Sequence, residues 1–243
     1  MSAYRNKLII SGKKVELYQY ESYIHVGKKI KNKKKSKRRT KEEIMKEIKK
    51  NDNKAFQVEV MRDFSLRRTR SRIVRLIDSN PDLKVFITLT FADNITELKE
   101  ANLVFNKFIK RLKRKTNNLK YIAVPEFQKR GAVHYHLLVN FEMRQQELSD
   151  LWQQGFVQIN RVKHINHLGL YISKYISKNL FDIRYFGMRK ILASKNLEQP
   201  IVITALKEIK EFICNAIGNI PPVFEKKYRS DWLGIIHYRL YGF

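Results

Sequence analysis

The sequence predicts an α+β protein in which a central antiparallel sheet carries helices on one face, and three observations lead there. The run VFITLTF (85–91) is β-branched and aromatic throughout, as a buried strand is. Leu98, Ala101, Phe105, Phe108, Ile109 and Leu112 recur at helical spacing. Downstream, the order strand, helix, strand, strand, helix, strand, helix follows the ferredoxin-like or RRM-like plan, whose natural packing is an antiparallel sheet under helices.

Each element has its own signal. Lys7–Val26 alternates enough to form one or two strands, an accessory hairpin. Lys28–Lys50 holds thirteen basic and three acidic residues, with Lys33, Lys34, Lys35, Arg38 and Arg39 at its centre, and reads as a solvated arm suited to a phosphate backbone. In Ser65–Asn80, Leu66, Ile73, Val74 and Ile77 form a helical seam beneath Arg67, Arg68, Arg70, Arg72 and Arg75, and Asn80-Pro81 ends it. Guanidinium forks there suit phosphates, although a solvated arginine edge would look the same. The helix from Leu98 ends in KRLKRK (110–115), which complements its C-terminal dipole. Strands at Leu119–Phe127 and Ala132–Phe141, a short helix at Arg144–Gln153 and a strand at Gly155–Lys163 follow. A helix at Ile203–Ala216 and a strand near Leu233–Tyr241 are expected last. The expected division is a basic arm and accessory segment over 1–64, a core over 65–183 and an extension over 184–243 packed on that core.

Composition narrows the function classes. A chain of 243 residues, 43% hydrophobic, can bury a real core. No apolar run approaches the roughly 20 residues of a membrane span, and Met1–Gly12 lacks the pattern of a secretory signal, so an intracellular protein without a membrane partner is expected. The single cysteine, Cys214, cannot pair within the chain and reads as a packed helix residue. Fifty Lys+Arg against 23 Asp+Glu give +27 and a pI near 10.1, a field that attracts polyanions, nucleic acid first.

The chemistry-bearing residues lie in VPEFQKRGAVHYHLLVNF (124–141). His134 and His136 share one strand face, while Val133, Tyr135, Leu137 and Val139 share the other. Lys129-Arg130-Gly131 reads as a three-residue hairpin loop with glycine at the left-handed position. That turn pairs Gln128 with Ala132, Glu126 with His134 and Val124 with His136, and brings one carboxylate beside two imidazoles. Such a trio is a three-ligand site for a divalent cation with positions left for a substrate oxygen. A polar strand face with an incidental Glu–His contact is the plain alternative, and a non-haem iron site has the same ligand types. In YISKYISK (171–178), Tyr171, Lys174, Tyr175 and Lys178 fall on one helical face, and Leu168, Ile172 and Ile176 on the apolar stripe. His164 and His167 precede this helix as surface or capping residues, with His164 also within possible reach of a metal.

FITLTF (86–91), Glu126 eight residues before His134-Tyr135-His136, and YISKYISK, in this order and spacing, resemble the HUH endonucleases that initiate rolling-circle replication, in the two-tyrosine form of small single-stranded DNA phages and related bacterial plasmids. The resemblance spans roughly Arg67 to Asn179. It implies that His134 and His136, with Glu126 as third ligand, hold Mg²⁺ or Mn²⁺. It also implies that Tyr175 or Tyr171 attacks a phosphodiester of single-stranded DNA or an origin hairpin, leaving a 5′-phosphotyrosyl link and a free 3′-hydroxyl. Because a phenol with a pKa near 10 is a weak nucleophile, Lys174 and Lys178 would lower that pKa and neutralise phosphate oxygens. No GxxxxGK[ST] phosphate loop is present, so a host helicase and DNA polymerase are the expected partners, in the cytoplasm of a bacterial host cell. A transposase or relaxase would use the same chemistry, although relaxases resemble a three-histidine pattern. A non-catalytic nucleic-acid-binding module would instead use aromatics such as Tyr135 for stacking.

Overall fold

The computed structural model describes residues 3–27, 67–162, 168–177, 183–185 and 188–243, with side chains in the helix over 168–177 described as far as Ile172. Lys33, Lys34, Lys35, Arg38, Arg39, His164, His167 and Lys178 lie outside the described residues. The chain forms two units, one from Lys41–Glu198 and one from Met1–Thr40 with Gln199–Phe243. In chain order the described elements begin with β1 (Ala3–Ser11), β2 (Lys14–His25), α1 (67–78), β3 (Val85–Thr90) and α2 (Leu98–Lys115). Then come β4 (Tyr121–Phe127), β5 (Val133–Val139), α3 (Gln145–Trp152), β6 (Val157–Arg161) and α4 (Leu168–Ser177). The remainder are β7 (Leu192–Ala193), β8 (Ile201–Ile203), α5 (Leu206–Phe212), β9 (Phe224–Ser230) and β10 (Gly234–Gly242).

In the unit from Lys41–Glu198 the sheet runs β6-β3-β5-β4-β7 with antiparallel pairings. The succession β3-α2-β4-β5-α3-β6 is the expected βαββαβ plan, and the α+β class holds. Period-two alternation sends Val85, Ile87 and Leu89 to one face with Tyr135, Leu137 and Val139, where Phe105, Phe108 and Leu112 of α2 and Trp152 of α3 cover them. Phe86, Ile122, Val124 and Leu138 point the other way, because β3, β4 and β5 are apolar at both parities. That second face therefore needs cover too, and receives Ile73, Leu76 and Ile77 of α1 and Ile172 of α4. Helices thus lie on both faces, which extends the one-face plan read from the sequence. The arginine helix sits as its seam requires: Ile73 and Ile77 are buried, Arg67, Arg68, Arg70 and Arg72 are exposed, and Arg75 is half-buried.

The other unit joins the two ends of the chain in one sheet, ordered β8-β1-β2-β10-β9. Leu8, Val15, Leu17 and Tyr241 pack against Ile209 of α5 and Ile217 beyond it. The sequence signals a strand at each end but not that β2 and β10 are neighbours, with Val15 opposite Tyr241. The last helix starts later than expected: Ile203 belongs to β8, paired with Leu8, and α5 begins at Leu206. Cys214, expected to be packed, is exposed. Ile209, Ile213 and Ile217 at four-residue spacing take the core side of this segment, which turns position 214 away. Among the described residues no helix is long and apolar enough to cross a membrane.

One close approach fixes how α3 returns to the sheet. Trp152, fully buried, donates from Nε1 to Thr90 O at 3.1 Å, while Ala92 N donates to Gln154 O at 2.7 Å and Thr90 N to Phe156 O at 2.9 Å. Gly155 has φ +142°, and a Cβ there would lie 2.4 Å from Ala92 N and 2.6 Å from Thr90 O. Backbone blocks it on two sides. Gly155→Ala should therefore destabilise the core by on the order of 3 kcal/mol, read as a lowered midpoint in chemical denaturation.

Candidate metal centre

The site grows out of one turn. Gly131, at φ +89°, occupies the left-handed position, and its N–H donates to Gln128 O at 2.8 Å while Gln128 N donates to Ala132 O at 2.8 Å. Beyond it Glu126 faces His134 and Val124 faces His136, the register read from the sequence. Arg130 ties the loop down, donating from Nη2 to Phe91 O at 3.0 Å and from Nε to Gln128 Oε1 at 3.0 Å. Arg184 lies with its guanidinium 3.6 Å from the Phe127 ring centre. Pro125 is tolerated inside β4 because β7 pairs only with Ile122 and Ala123, so no ladder bond is asked of its nitrogen. Its carbonyl accepts from the Tyr185 hydroxyl at 2.8 Å.

Glu126, His134 and His136 converge on the sheet face that also carries α1 and α4. Glu126 Oε2 accepts from His136 Nε2 at 2.8 Å and from His134 Nε2 at 3.2 Å, and the three ligand-type atoms all lie within 4.8 Å of one another. Glu126 and His136 are buried and His134 is half-buried. Burial raises the Glu126 carboxyl, but hydrogen bonds from both imidazoles, and their charge when protonated, outweigh it and bring the group from 4.5 down to about 2. Two neutral imidazoles and a carboxylate are a donor set for a divalent cation, and here each already presents an atom to a common point.

Two supporting residues escape the sequence reading. Thr88 stands opposite His136 across β3 and β5, its Oγ1 3.2 Å from Nδ1. A hydroxyl donates or accepts, so it holds the ring in either tautomer. Gln128 Nε2 lies 3.4 Å from His134 Nδ1, while its Oε1 is engaged by Arg130. Polar Thr88 and Thr90 at one parity of an apolar strand were the available signal for the first of these; the second follows from the hairpin register.

Of the predicted nucleophile helix, α4 is present and Ile172 is buried against the sheet. Tyr171 is half-buried, and its ring meets Phe86 edge-on at 6.0 Å, while Phe86 stacks on His136 at 5.5 Å. One phenol therefore stands a single aromatic ring away from a metal-type ligand. The side chains of Lys174 and Tyr175 lie outside the described residues. Tyr135, the stacking aromatic of the non-catalytic alternative, is fully buried between β5 and α2, stacked on Phe105 at 4.4 Å and donating to Asn102 Oδ1 at 2.8 Å. It cannot meet a base.

Two measurements check the centre. With Mn²⁺ as probe in calorimetric titration, His136→Ala and Glu126→Ala should abolish binding, and Thr88→Val should weaken it about 10- to 100-fold. In metal-free protein the Glu126 carboxylate contributes stability above its unfolded value near 4.5, and this is lost as the pH falls toward 2. The stability advantage of the native chain over Glu126→Gln should accordingly shrink between those pH values in acid titrations followed by circular dichroism.

Comparison with known proteins places this geometry in context. A family model described as replication-associated protein, of the ORF2 group, matches residues 84–180, from the strand under the site through the tyrosine helix. A curated Escherichia coli protein, "Phasyl DNA replicon protein arp", is 48% identical over 59 residues, covering 22% of this chain and 19% of that protein, so the match spans about a fifth of the relative's length. No solved structure matches the chain. Both matches support a replication-initiator family for the part of the chain that builds the candidate metal centre.

Proposed function

We propose that this protein initiates rolling-circle replication by nicking single-stranded DNA with a tyrosine nucleophile and later rejoins the strands. The observation that carries the reading is the carboxylate shared by two imidazoles on the sheet face that also bears the YISKYISK helix. Glu126, His134 and His136 would hold Mg²⁺ or Mn²⁺. A divalent cation bound there supplies Lewis-acid stabilisation of charge on the attacked phosphoryl group.

The chain's own residues do the rest. The phenolate oxygen of Tyr175, or of Tyr171, attacks phosphorus; the P–O3′ bond breaks, the phenolic proton is released, and the departing 3′-oxygen takes up a proton to become the primer hydroxyl. The DNA stays attached as a 5′-phosphotyrosyl ester, so rejoining by the reverse displacement needs no ATP. Lys174 and Lys178 favour the phenolate and neutralise phosphate oxygens. Arg67, Arg68, Arg70, Arg72 and Arg75 of α1 hold the strand by its phosphates on the same sheet face, and Lys33, Lys34, Lys35, Arg38 and Arg39 extend that hold. With two tyrosines a turn apart, one can keep the 5′ end while the other cleaves the regenerated origin. Unwinding and synthesis fall to a host helicase and polymerase in a bacterial cytoplasm.

Incubation with single-stranded origin DNA and Mn²⁺ should give an adduct that survives SDS and maps to the peptide of Tyr175 or Tyr171. Tyr175→Phe should lower its yield at least about 1,000-fold if that residue cleaves first, and EDTA or His136→Ala should remove it. The reading fails if no adduct forms under any of these conditions, or if both tyrosine variants stay fully active. Metal-independent DNA binding without an adduct would instead identify a non-catalytic module.

A further inference from the structure

The β9–β10 hairpin, outside the region matched by the family model, presents an unusual surface. β9 is the edge strand of its sheet, and Phe224 through Arg229 are exposed. Lysines on an edge are a common guard against edge-to-edge pairing. Here, however, Lys226, Lys227 and Arg229 alternate with Phe224 and Tyr228, 51% and 40% exposed, and the following turn carries Trp232 at 88% exposure. An edge shaped only to repel other strands would not hold three aromatic rings in water.

The turn is anchored while its indole stays out. Ile235 N donates to Glu21 Oε2 at 2.5 Å, Ser22 N donates to Leu233 O at 3.1 Å, and Trp232 N donates to Ser230 Oγ at 3.4 Å. Gly234, at φ +67°, makes the bend, and a Cβ there would run into the Glu21 carboxylate. Along β9, Phe224, Lys226 and Tyr228 project to one side, and Lys227 and Arg229 to the other. The single acid of the strand, Glu225, is engaged by His237 and Arg239, so its charge is compensated within the hairpin.

We infer that this hairpin is a second, non-catalytic contact for single-stranded DNA, in which bases stack on Trp232, Tyr228 and Phe224 while Lys226, Lys227 and Arg229 face phosphates. Aromatic rings alternating with cations are what an unpaired strand recognises, and duplex DNA keeps its bases stacked out of reach. A second copy of this chain would bring another +27 to a cationic surface, so an anionic partner is favoured. The choice of DNA over RNA rests on the function proposed above; the stacking surface does not.

The chain's two tryptophans make the test direct, because Trp152 is buried and Trp232 exposed. In EDTA, where no cleavage occurs, oligo(dT) should quench the red-edge emission of Trp232 and leave that of Trp152 unchanged. By anisotropy of a labelled oligo(dT), Trp232→Ala and Tyr228→Ala should each weaken binding roughly 5- to 150-fold. Lys226→Gln and Lys227→Gln should each reduce the salt slope by about 0.7. These lysine variants keep the test decisive if an aromatic replacement unfolds. Unchanged affinity in all four variants, absence of quenching, or a blue shift with anionic vesicles that oligo(dT) does not compete away would overturn the inference; preference for oligo(rU) would overturn its assignment to DNA. Failure of the nicking chemistry would show as a missing adduct with quenching intact, whereas failure of the hairpin would leave the adduct yield at saturating DNA unchanged.

Discussion

The register of the β4–β5 hairpin is the constraint on which the site depends. Because side chains alternate, the pairing that buries Val133, Tyr135, Leu137 and Val139 is the same one that turns His134 and His136 to the opposite face beside Glu126. Burying each large apolar side chain is worth about 1.5–3 kcal/mol, whereas each imidazole–carboxylate hydrogen bond contributes about the same or less. A one-residue slip would forfeit several such burials at once. The hydrophobic core therefore dictates where the ligands go, and Gly131 lets the turn comply.

An acidic group inside so basic a chain also needs explaining. Removing a carboxylate from water costs several kcal/mol unless partners compensate, and long lysine or arginine side chains would fill the space a substrate phosphate needs. Imidazoles solve both problems. They satisfy Glu126 from the neighbouring strand, and Thr88 and Gln128 hold their far nitrogens, so the three ligand atoms stay together before anything binds. Preorganisation of this kind lowers the ordering cost when a ligand arrives.

What was legible in the sequence was local. The hairpin register followed from a loop length and a glycine, α2 from its 3.6-residue repeat, and the seam of α1 from four apolar positions. Thr88 could not be assigned, because its role depends on β3 lying beside β5 rather than at an edge, and that neighbourhood is set by the whole sheet. The pairing of β2 with β10 escaped for the same reason: no local signal links Val15 to Tyr241 across more than two hundred residues. Tyr135 was ambiguous, since an aromatic in a strand reads alike whether a helix or a nucleic acid covers it. Cys214 was misread because apolar spacing marks a helix long before it says which side is buried.

The two proposals bear on each other through a problem of strand retention. Tyrosine attack secures only the 5′ end of the cut strand; the 3′ side is held by nothing covalent and must stay close for rejoining to compete with loss. Contacts that are individually weak suffice if they are linked, because a second contact on the same chain acts at an effective concentration near the millimolar range rather than at that of free DNA. A stacking hairpin reads no sequence, and phosphate contacts alone are screened by salt, so together they retain a strand without fixing its register. That property suits an enzyme whose DNA must move past it between cleavage and closure. It also explains why such a contact would lie outside the matched catalytic region: holding a strand asks only for exposed rings and charge on a stable sheet, which a chain can build from its own two ends.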